Sequence, residues 1–168
     1  MSIQSSILVG CANKIVWVRV EGKGSFLNSS GLKEFAREMI NRGNREFVVD
    51  LRNCSVMDST FMGTLAGIAL RLREIGQGSV HVTNLNERNS DLLRNLGLAP
   101  LFAIDLCGIK APEAPPAGAP LDAAGNDRVM QAQAMLEAHE ALIEAAPENL
   151  TKFKDVLDYL KQDLDRSP

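Results

Sequence analysis

The sequence is poor in the residues that build metal centres, disulfide frameworks and catalytic triads. Its 168 residues include three cysteines and two histidines. Cys11, Cys54 and Cys107 lie far apart without a Cys-x-x-Cys pair, so we expect small buried core residues instead of disulfides or zinc ligands. His81 and His139 are isolated in the sequence, so a serine–histidine–aspartate triad lacks recognisable parts. We therefore expect no metal, no cofactor and no catalysis.

A basic excess and a long hydrophobic run are also missing. The chain has 18 Lys and Arg against 21 Asp and Glu, a formal net charge of −3, whereas a nucleic-acid interface needs a basic face. No apolar stretch approaches the roughly 18 to 20 residues that span a bilayer, and no basic segment precedes the short apolar run in residues 1–14. We therefore expect a cytoplasmic protein that neither binds nucleic acid nor inserts into a membrane.

Strand-like and helix-like segments alternate along residues 13–106. Short β-branched apolar runs lie at 15–20, 47–51, 80–83 and 101–106, and a further short run at 7–9 is compatible with an edge strand. Helical periodicity at 32–40 predicts the first of three intervening helices, and its N-cap is expected at Asn28, Ser29 or Ser30. This alternation indicates an α/β fold with right-handed crossovers onto a mostly parallel sheet.

The composition changes after residue 108. Four prolines within 111–120 are typical of a semi-rigid linker. We therefore divide the chain into a domain at 1–108, a Pro/Ala-rich linker at 109–126 and a helical extension at 127–168. Apolar residues recur there every seven positions, which predicts a hairpin or coiled-coil seam: Val129, Leu136, Ile143, Leu150, Leu157 and Leu164. This seam packs the extension onto the domain or onto itself, or else it mediates self-association or partner docking.

A strand at 47–51 leads into a helix through the tetrad Met57-Asp58-Ser59-Thr60. Two interpretations compete for its polar residues. They are helix caps, each worth about 1 kcal/mol, or they form a site at the carboxyl end of a strand. A hydrolase that uses Ser59 as its nucleophile needs a base within hydrogen-bond reach, and neither histidine has a sequence neighbourhood that suggests this role.

The tetrad resembles the Asp-Ser-Ser/Thr motif of the STAS domain, the anti-sigma factor antagonist family. The preceding Val48-Val49-Asp50-Leu51 and the following Gly63 are similar to the family pattern, as is the segment from Asp91 to Phe102. The resemblance covers residues 13–106. It implies a four- or five-stranded mixed sheet with helices mainly on one face, followed here by the C-terminal helical extension.

The resemblance also implies a function. In the family, a partner serine kinase, which is also the anti-sigma factor, phosphorylates the hydroxyl residue after the motif aspartate, here Ser59. A PPM-type serine phosphatase restores the hydroxyl, and the unphosphorylated antagonist binds the kinase. By analogy, the expected partner contacts are Asp58, Ser59, Thr60, Phe61, Met62, Ser25 and Asn28.

Two positions depart from the family pattern. Phe61 replaces the usual glycine, so its ring either restricts the kinase or serves as an interface anchor. Ser25 stands where many members carry an aspartate. Two alternatives to partner switching remain: a constitutive scaffold subunit, stressosome-like or transporter-associated, and a small Ser59-dependent hydrolase.

Overall fold

The computed structural model describes residues 5–104, 119–121 and 128–166. Within these residues the chain forms seven β-strands and five α-helices. The strands are β1 (Ser6–Ala12), β2 (Ile15–Gly24), β3 (Glu46–Asp50), β4 (Cys54–Met57), β5 (Ser79–Thr83), β6 (Ala103–Ile104) and β7 (Ala119–Pro120). The helices are α1 (Phe26–Asn41), α2 (Ser59–Ile75), α3 (Glu87–Asn95), α4 (Arg128–Ala145) and α5 (Asn149–Asp165).

The strands form one mixed sheet in the order β6-β5-β3-β2-β1-β7, and β4 pairs with the end of β2. The four strands β2, β3, β5 and β6 run parallel to one another, and β1 is antiparallel to both β2 and β7. Val18 lies opposite Val49, which lies opposite Val82. These aligned, buried valines and their neighbours pack against α1 and α2 in one core, which confirms the predicted fold class.

Local backbone chemistry explains where the main elements begin and end. Asn13 and Lys14 both adopt positive φ, as the two-residue turn of a tight hairpin requires, and they join β1 to β2. Helix α2 ends at Gly76, which has a φ of 86°. Helix α1 ends at Asn41, and Gly43, two residues beyond, has a φ of 97°.

Several element boundaries differ from those predicted. Helix α1 begins at Phe26, six residues earlier than the apolar periodicity indicated, because Ser25 and not residues 28–30 is its N-cap. Between the strand at 47–51 and helix α2 the structure contains a further short strand, β4, which the sequence analysis does not predict and which pairs with Gly22–Gly24. The predicted last strand at 101–106 contains only β6 within the described residues, because a 3₁₀ turn occupies Ala99–Leu101.

The cysteine prediction is correct for one residue and wrong for another. Cys54 is buried, as expected, whereas Cys11 is exposed on β1, near the hairpin turn. Burial raises the pKa of the Cys54 thiol, which hydrogen bonds from its surroundings only partly oppose. Cys107 lies outside the described residues.

The two C-terminal helices fold back onto the sheet domain. Helix α4 makes its most extensive contacts with α2 and also touches α1, while α5 packs against α4. The seven-residue repeat forms only part of the buried face, since Leu157 is buried but Val129 and Leu150 are exposed, and Leu142, outside the repeat, is fully buried. The face that α4 buries consists mostly of alanine: Ala132, Ala134, Ala138 and Ala141, with His139 and Leu142.

The predicted linker at 109–126 lies mainly outside the described residues. Within it, Ala119 and Pro120 pair with Val9 and Leu8 of β1. The division of the chain at 108 and 126, and self-association through residues 127–168, remain predictions.

Candidate functional site

Asp58 joins the N-termini of two helices. As the N-cap of α2, its Oδ1 atom accepts a hydrogen bond of 2.8 Å from the backbone N–H of Phe61. Its Oδ2 atom accepts a second hydrogen bond of 2.9 Å from the backbone N–H of Phe26, the first residue of α1. The two helices therefore begin side by side at one carboxylate, and the capping interpretation of the tetrad is confirmed for Asp58.

Ser25 and Asn28 cap helix α1. The Ser25 hydroxyl accepts from the backbone N–H of Leu27 at 3.2 Å, and the backbone N–H of Ser25 donates to Asn28 Oδ1 at 3.0 Å. The Asn28 amide also donates to the Lys23 carbonyl at 3.1 Å. Both residues hold the loop after β2, next to the Phe26 N–H that binds Asp58, and their contact with a partner remains a prediction.

Ser59 is the first residue of α2, and its hydroxyl contacts a histidine 80 positions away. The Ser59 Oγ atom lies 3.0 Å from Nε2 of His139 on α4. The other ring nitrogen, Nδ1, lies 2.7 Å from the carbonyl oxygen of Met135. Because a carbonyl only accepts, Nδ1 carries the proton, and in the neutral ring Nε2 accepts a hydrogen bond from Ser59.

His139 is almost fully buried, with a relative exposure of 2%. Its ring meets Phe153 of α5 edge to face, with 5.0 Å between the ring centroids. The expectation that neither histidine accompanies Ser59 is therefore wrong. The pair comes from packing between α4 and α2, and no sequence motif marks such a contact.

The three residues after Ser59 are buried. Phe61 is fully buried in the core, and Thr60 and Met62 are each 3% exposed. The Phe61 ring packs over Gly24, where a Cβ would come within 2.7 Å of the ring. Phe61 is therefore a core residue and not an exposed interface anchor, and direct partner contacts by Thr60 and Met62 are not supported by this arrangement.

Two exposed apolar residues beside Asp58 escaped the sequence analysis. Phe26 and Leu27, in the first turn of α1, have relative exposures of 40% and 63%. The apolar periodicity at 32–40 predicts a helix that begins after them. The earlier start of α1, signalled by Ser25 and Asn28, places an apolar pair at the same end of the sheet as Ser59.

Neither a metal site nor a membrane span is found at this end or elsewhere in the described part of the chain. Among these residues no group of three or more His, Cys, Asp and Glu side chains is placed to hold a metal ion. None of the described helices is long and apolar enough to cross a bilayer.

A cleft of about 580 Å³ lies between α1, α2 and α4. Lys33 and Arg37 of α1 and Arg71 of α2 contribute positive charge to its walls, and Glu137 of α4 forms an ion pair with Lys33. Burial, with a further contribution from Arg37, lowers the pKa of Lys33. Neither Ser59 nor His139 is among the described residues that line the cleft.

The model of the STAS domain family matches residues 6–109. In fold, the chain is similar to a candidate anti-sigma factor antagonist from Thermotoga maritima, at 17% identity and a TM-score of 0.54 over 60% of this chain and 87% of that one. It is also similar to the anti-sigma factor antagonist SpoIIAA in its unphosphorylated form, at 17% identity and a TM-score of 0.54 over 61% and 90% of the two chains. The phosphorylated form of SpoIIAA, a Bacillus cell fate determinant, aligns at 15% identity and a TM-score of 0.51 over 61% and 93%. The family match ends before α4 and α5.

Proposed function

Because the chain belongs to the STAS domain family, we propose that it is an anti-sigma factor antagonist that acts by partner switching in the cytoplasm. The form with a free Ser59 hydroxyl binds a serine-kinase anti-sigma factor, and phosphorylation of Ser59 ends that binding. A PPM-type phosphatase restores the hydroxyl. In this proposal the chain is a binding module and has no catalytic activity of its own.

The observation that carries the proposal is that Asp58 caps the helix while the Ser59 hydroxyl does not. Asp58 accepts the side-chain capping hydrogen bond of α2 from Phe61 and a further one from Phe26 in the first turn of α1. The Ser59 hydroxyl is therefore not required to cap the helix, and its known contact is with His139 on another element. A residue free of a local structural role is suited to reversible modification.

The electrostatics of the site agree with a phosphorylated serine. A phosphate adds about −1.5 to −2 charges near neutral pH, and the helix N-termini that meet at Asp58 offer N–H donors and the positive ends of two helix dipoles. The same phosphate would stand beside the Asp58 carboxylate, so a partner surface that fits the free hydroxyl would meet extra bulk and negative charge. A complete switch needs about 5.5 kcal/mol of differential affinity, and one phosphate within a tight interface supplies a large share of it.

The exposed Phe26 and Leu27 extend the proposed docking surface. Apolar side chains beside a polar centre are typical of the buried middle of an interface. Ser25 and Asn28 hold this turn in place, so we propose that they contribute by positioning α1. Asp58, Ser59, Phe26 and Leu27 are then the residues that face the partner.

The experiment is a phosphoryl-transfer assay with ATP and a serine-kinase anti-sigma factor from the same organism, read by intact-protein mass. The wild-type chain should gain one phosphate, and Ser59→Ala should gain none. Ser55→Ala is the matched control, because Ser55 is exposed on the neighbouring strand β4, and it should gain one phosphate. Transfer that persists in Ser59→Ala, or stable assembly with the kinase without any transfer, would reject the proposal, and the second result would favour a constitutive scaffold.

The contact between Ser59 and His139 gives the hydrolase alternative one supporting observation, since a serine beside an imidazole is the start of a nucleophile–base pair. The group that orients His139 is a backbone carbonyl of its own helix, and the 580 Å³ cleft is lined by neither residue. Hydrolysis of an activated ester that disappears in both Ser59→Ala and His139→Ala would establish this activity. We expect no such hydrolysis.

A further inference from the structure

The start of α2 is covered by a part of the chain that lies beyond the family match. Helix α4 crosses α2 at Gly63, where an added Cβ would come within 2.2 Å of the Ala138 carbonyl oxygen. The two backbones therefore touch, which only a residue without a side chain permits. One turn further along α2, a Cβ on Gly67 would lie 3.8 Å from the Ala141 Cβ, an ordinary contact.

This crossing places His139 directly against the Ser59 hydroxyl. Phe153 of α5 supports the far side of the imidazole, so both C-terminal helices contribute to the contact. A kinase must reach Ser59 Oγ with the terminal phosphate of its nucleotide, and the imidazole occupies that approach at 3.0 Å. The modification proposed above is therefore hindered while α4 lies on α2.

The attachment of the two helices is strong at a few points. The Asn149 amide, at the start of α5, donates to the carbonyl oxygens of Leu96 and Leu142 at 2.9 and 2.8 Å. Lys152 donates to the Asn95 carbonyl at 2.7 Å. These bonds fix the turn between α4 and α5 to the end of α3.

Other features of the attachment favour its reversible release. The buried face of α4 is mostly alanine, which removes less apolar area from water than larger side chains do. The cleft between α1, α2 and α4 leaves one side of the crossing unpacked. In addition, the buried Asn149 Oδ1 atom finds no hydrogen-bond donor among the described residues, which offsets part of the gain from its amide group.

We infer that α4 and α5 form an intramolecular cover over Ser59 and the α2 face, and that this cover must lift before the site is modified or bound. The cover itself follows from the geometry, whereas its regulatory consequence rests on the proposed function. Closed and open forms exchange, and a partner that binds only the open form shifts the population towards it. A signal that loosens α4 would thus raise both the phosphorylation of Ser59 and the affinity for the kinase.

The test uses Ser59→Cys in the full-length chain and needs no kinase. Cys11 and Cys107 are replaced by serine, and the buried Cys54 stays as an internal control. Alkylation of residue 59 by iodoacetamide is followed by mass at alkaline pH, so that the thiol is ionised in every variant. In the closed form His139 shields the thiol, and the rate of labelling reports how often the cover opens.

Two alanine substitutions on the same helix supply the comparison. Gly63→Ala forces a Cβ into the Ala138 carbonyl and should raise the labelling rate about tenfold or more, whereas Gly67→Ala fits its contact and should leave the rate within about twofold. Asn149→Ala loosens the cover from the α5 side and should also raise the rate, which keeps the test valid if Gly63→Ala fails to fold. The cover would be overturned if residue 59 were labelled at the same rate in Ser59→Cys alone and with each of the three alanine substitutions, and if that rate were close to that of a cysteine in a short peptide.

The outcomes separate the two proposals. Strong protection of residue 59 that Gly63→Ala and Asn149→Ala relieve, combined with no phosphoryl transfer to Ser59 even in the opened Gly63→Ala and Asn149→Ala chains, would leave the cover standing and reject the switch. Transfer to Ser59 with no protection of residue 59 would leave the switch standing and reject the cover.

Discussion

Asp58 shows how much one side chain contributes to the geometry of the site. Its carboxylate accepts from Phe61 and from Phe26, so it fixes the start of α2 and the position of α1 relative to it. The sequence offered Asp58, Ser59 and Thr60 as equivalent caps. What distinguishes Asp58 is its second hydrogen bond, which comes from the backbone N–H of Phe26 at the start of α1. That donor lies 32 residues before Asp58 in the chain.

Asp58→Ala should lower the free energy of unfolding by about 2 kcal/mol, because two helix N-termini lose an acceptor at a half-buried position. Urea denaturation measures this change. Asp91→Ala is the control, since Asp91 makes only an exposed pair with Arg94 and its loss should cost less than about 0.5 kcal/mol. Equal losses in the two variants would show that the double cap is not formed.

The cysteines give a second test at the scale of the residue. The raised pKa of Cys54 and its burial both oppose formation of a reactive thiolate, whereas Cys11 is exposed. Alkylation of the native protein at mildly alkaline pH, followed by peptide mapping, should modify Cys11 and spare Cys54. Labelling of Cys54 at the rate of Cys11 without denaturant would contradict the placement of β4 in the core.

At the scale of the element, the sheet was predictable and the packing of the C-terminal helices was not. Short β-branched runs identify β2, β3 and β5 because buried parallel strands are apolar along their whole length. The seven-residue repeat in α4 and α5 indicated a leucine seam, yet α4 buries alanines. The reason lies in another element: α2 offers Gly63 at the crossing, and a close approach of two backbones excludes large side chains. The sequence feature that marks this crossing is a pair of small residues spaced four apart on each helix, Gly63 and Gly67 on α2 and Ala134 and Ala138 on α4.

Two leucines of the same repeat distinguish the seam from the observed packing. Leu157 is 6% exposed and Leu150 is 49% exposed. Leu157→Ala should therefore destabilise the fold by about 2 to 3 kcal/mol, and Leu150→Ala by less than about 0.5 kcal/mol. Thermal or urea unfolding of the two variants compares them directly. Similar losses at both positions would favour the seam that the repeat predicts, either within one chain or between two.

At the scale of the whole molecule, the chain combines a STAS domain with two helices that occupy one face of it. The pairing of Ser59 with His139 was beyond the reach of sequence patterns, because it joins residues 80 positions apart across a crossing set by Gly63. The tetrad alone located the site, and only the complete fold revealed what covers it. In the proposed account, a docking surface and its intramolecular competitor are encoded in the same chain.

A disulfide across the crossing tests this account most directly. The Cβ separation of 3.8 Å between positions 67 and 141 suits a disulfide, whose Cβ atoms lie about 3.5 to 4.5 Å apart. Gly67→Cys with Ala141→Cys, in a background without Cys11 and Cys107, therefore locks α4 onto α2 when oxidised and frees it when reduced. The single-cysteine variants control for the effect of the redox reagents on the kinase.

The measurement is the rate of phosphoryl transfer to Ser59 from the serine kinase, compared between the oxidised and reduced forms of the double-cysteine variant. The account predicts transfer to the reduced form and almost none to the oxidised form. Equal transfer to both forms would contradict it, since Ser59 would then be reached with α4 in place.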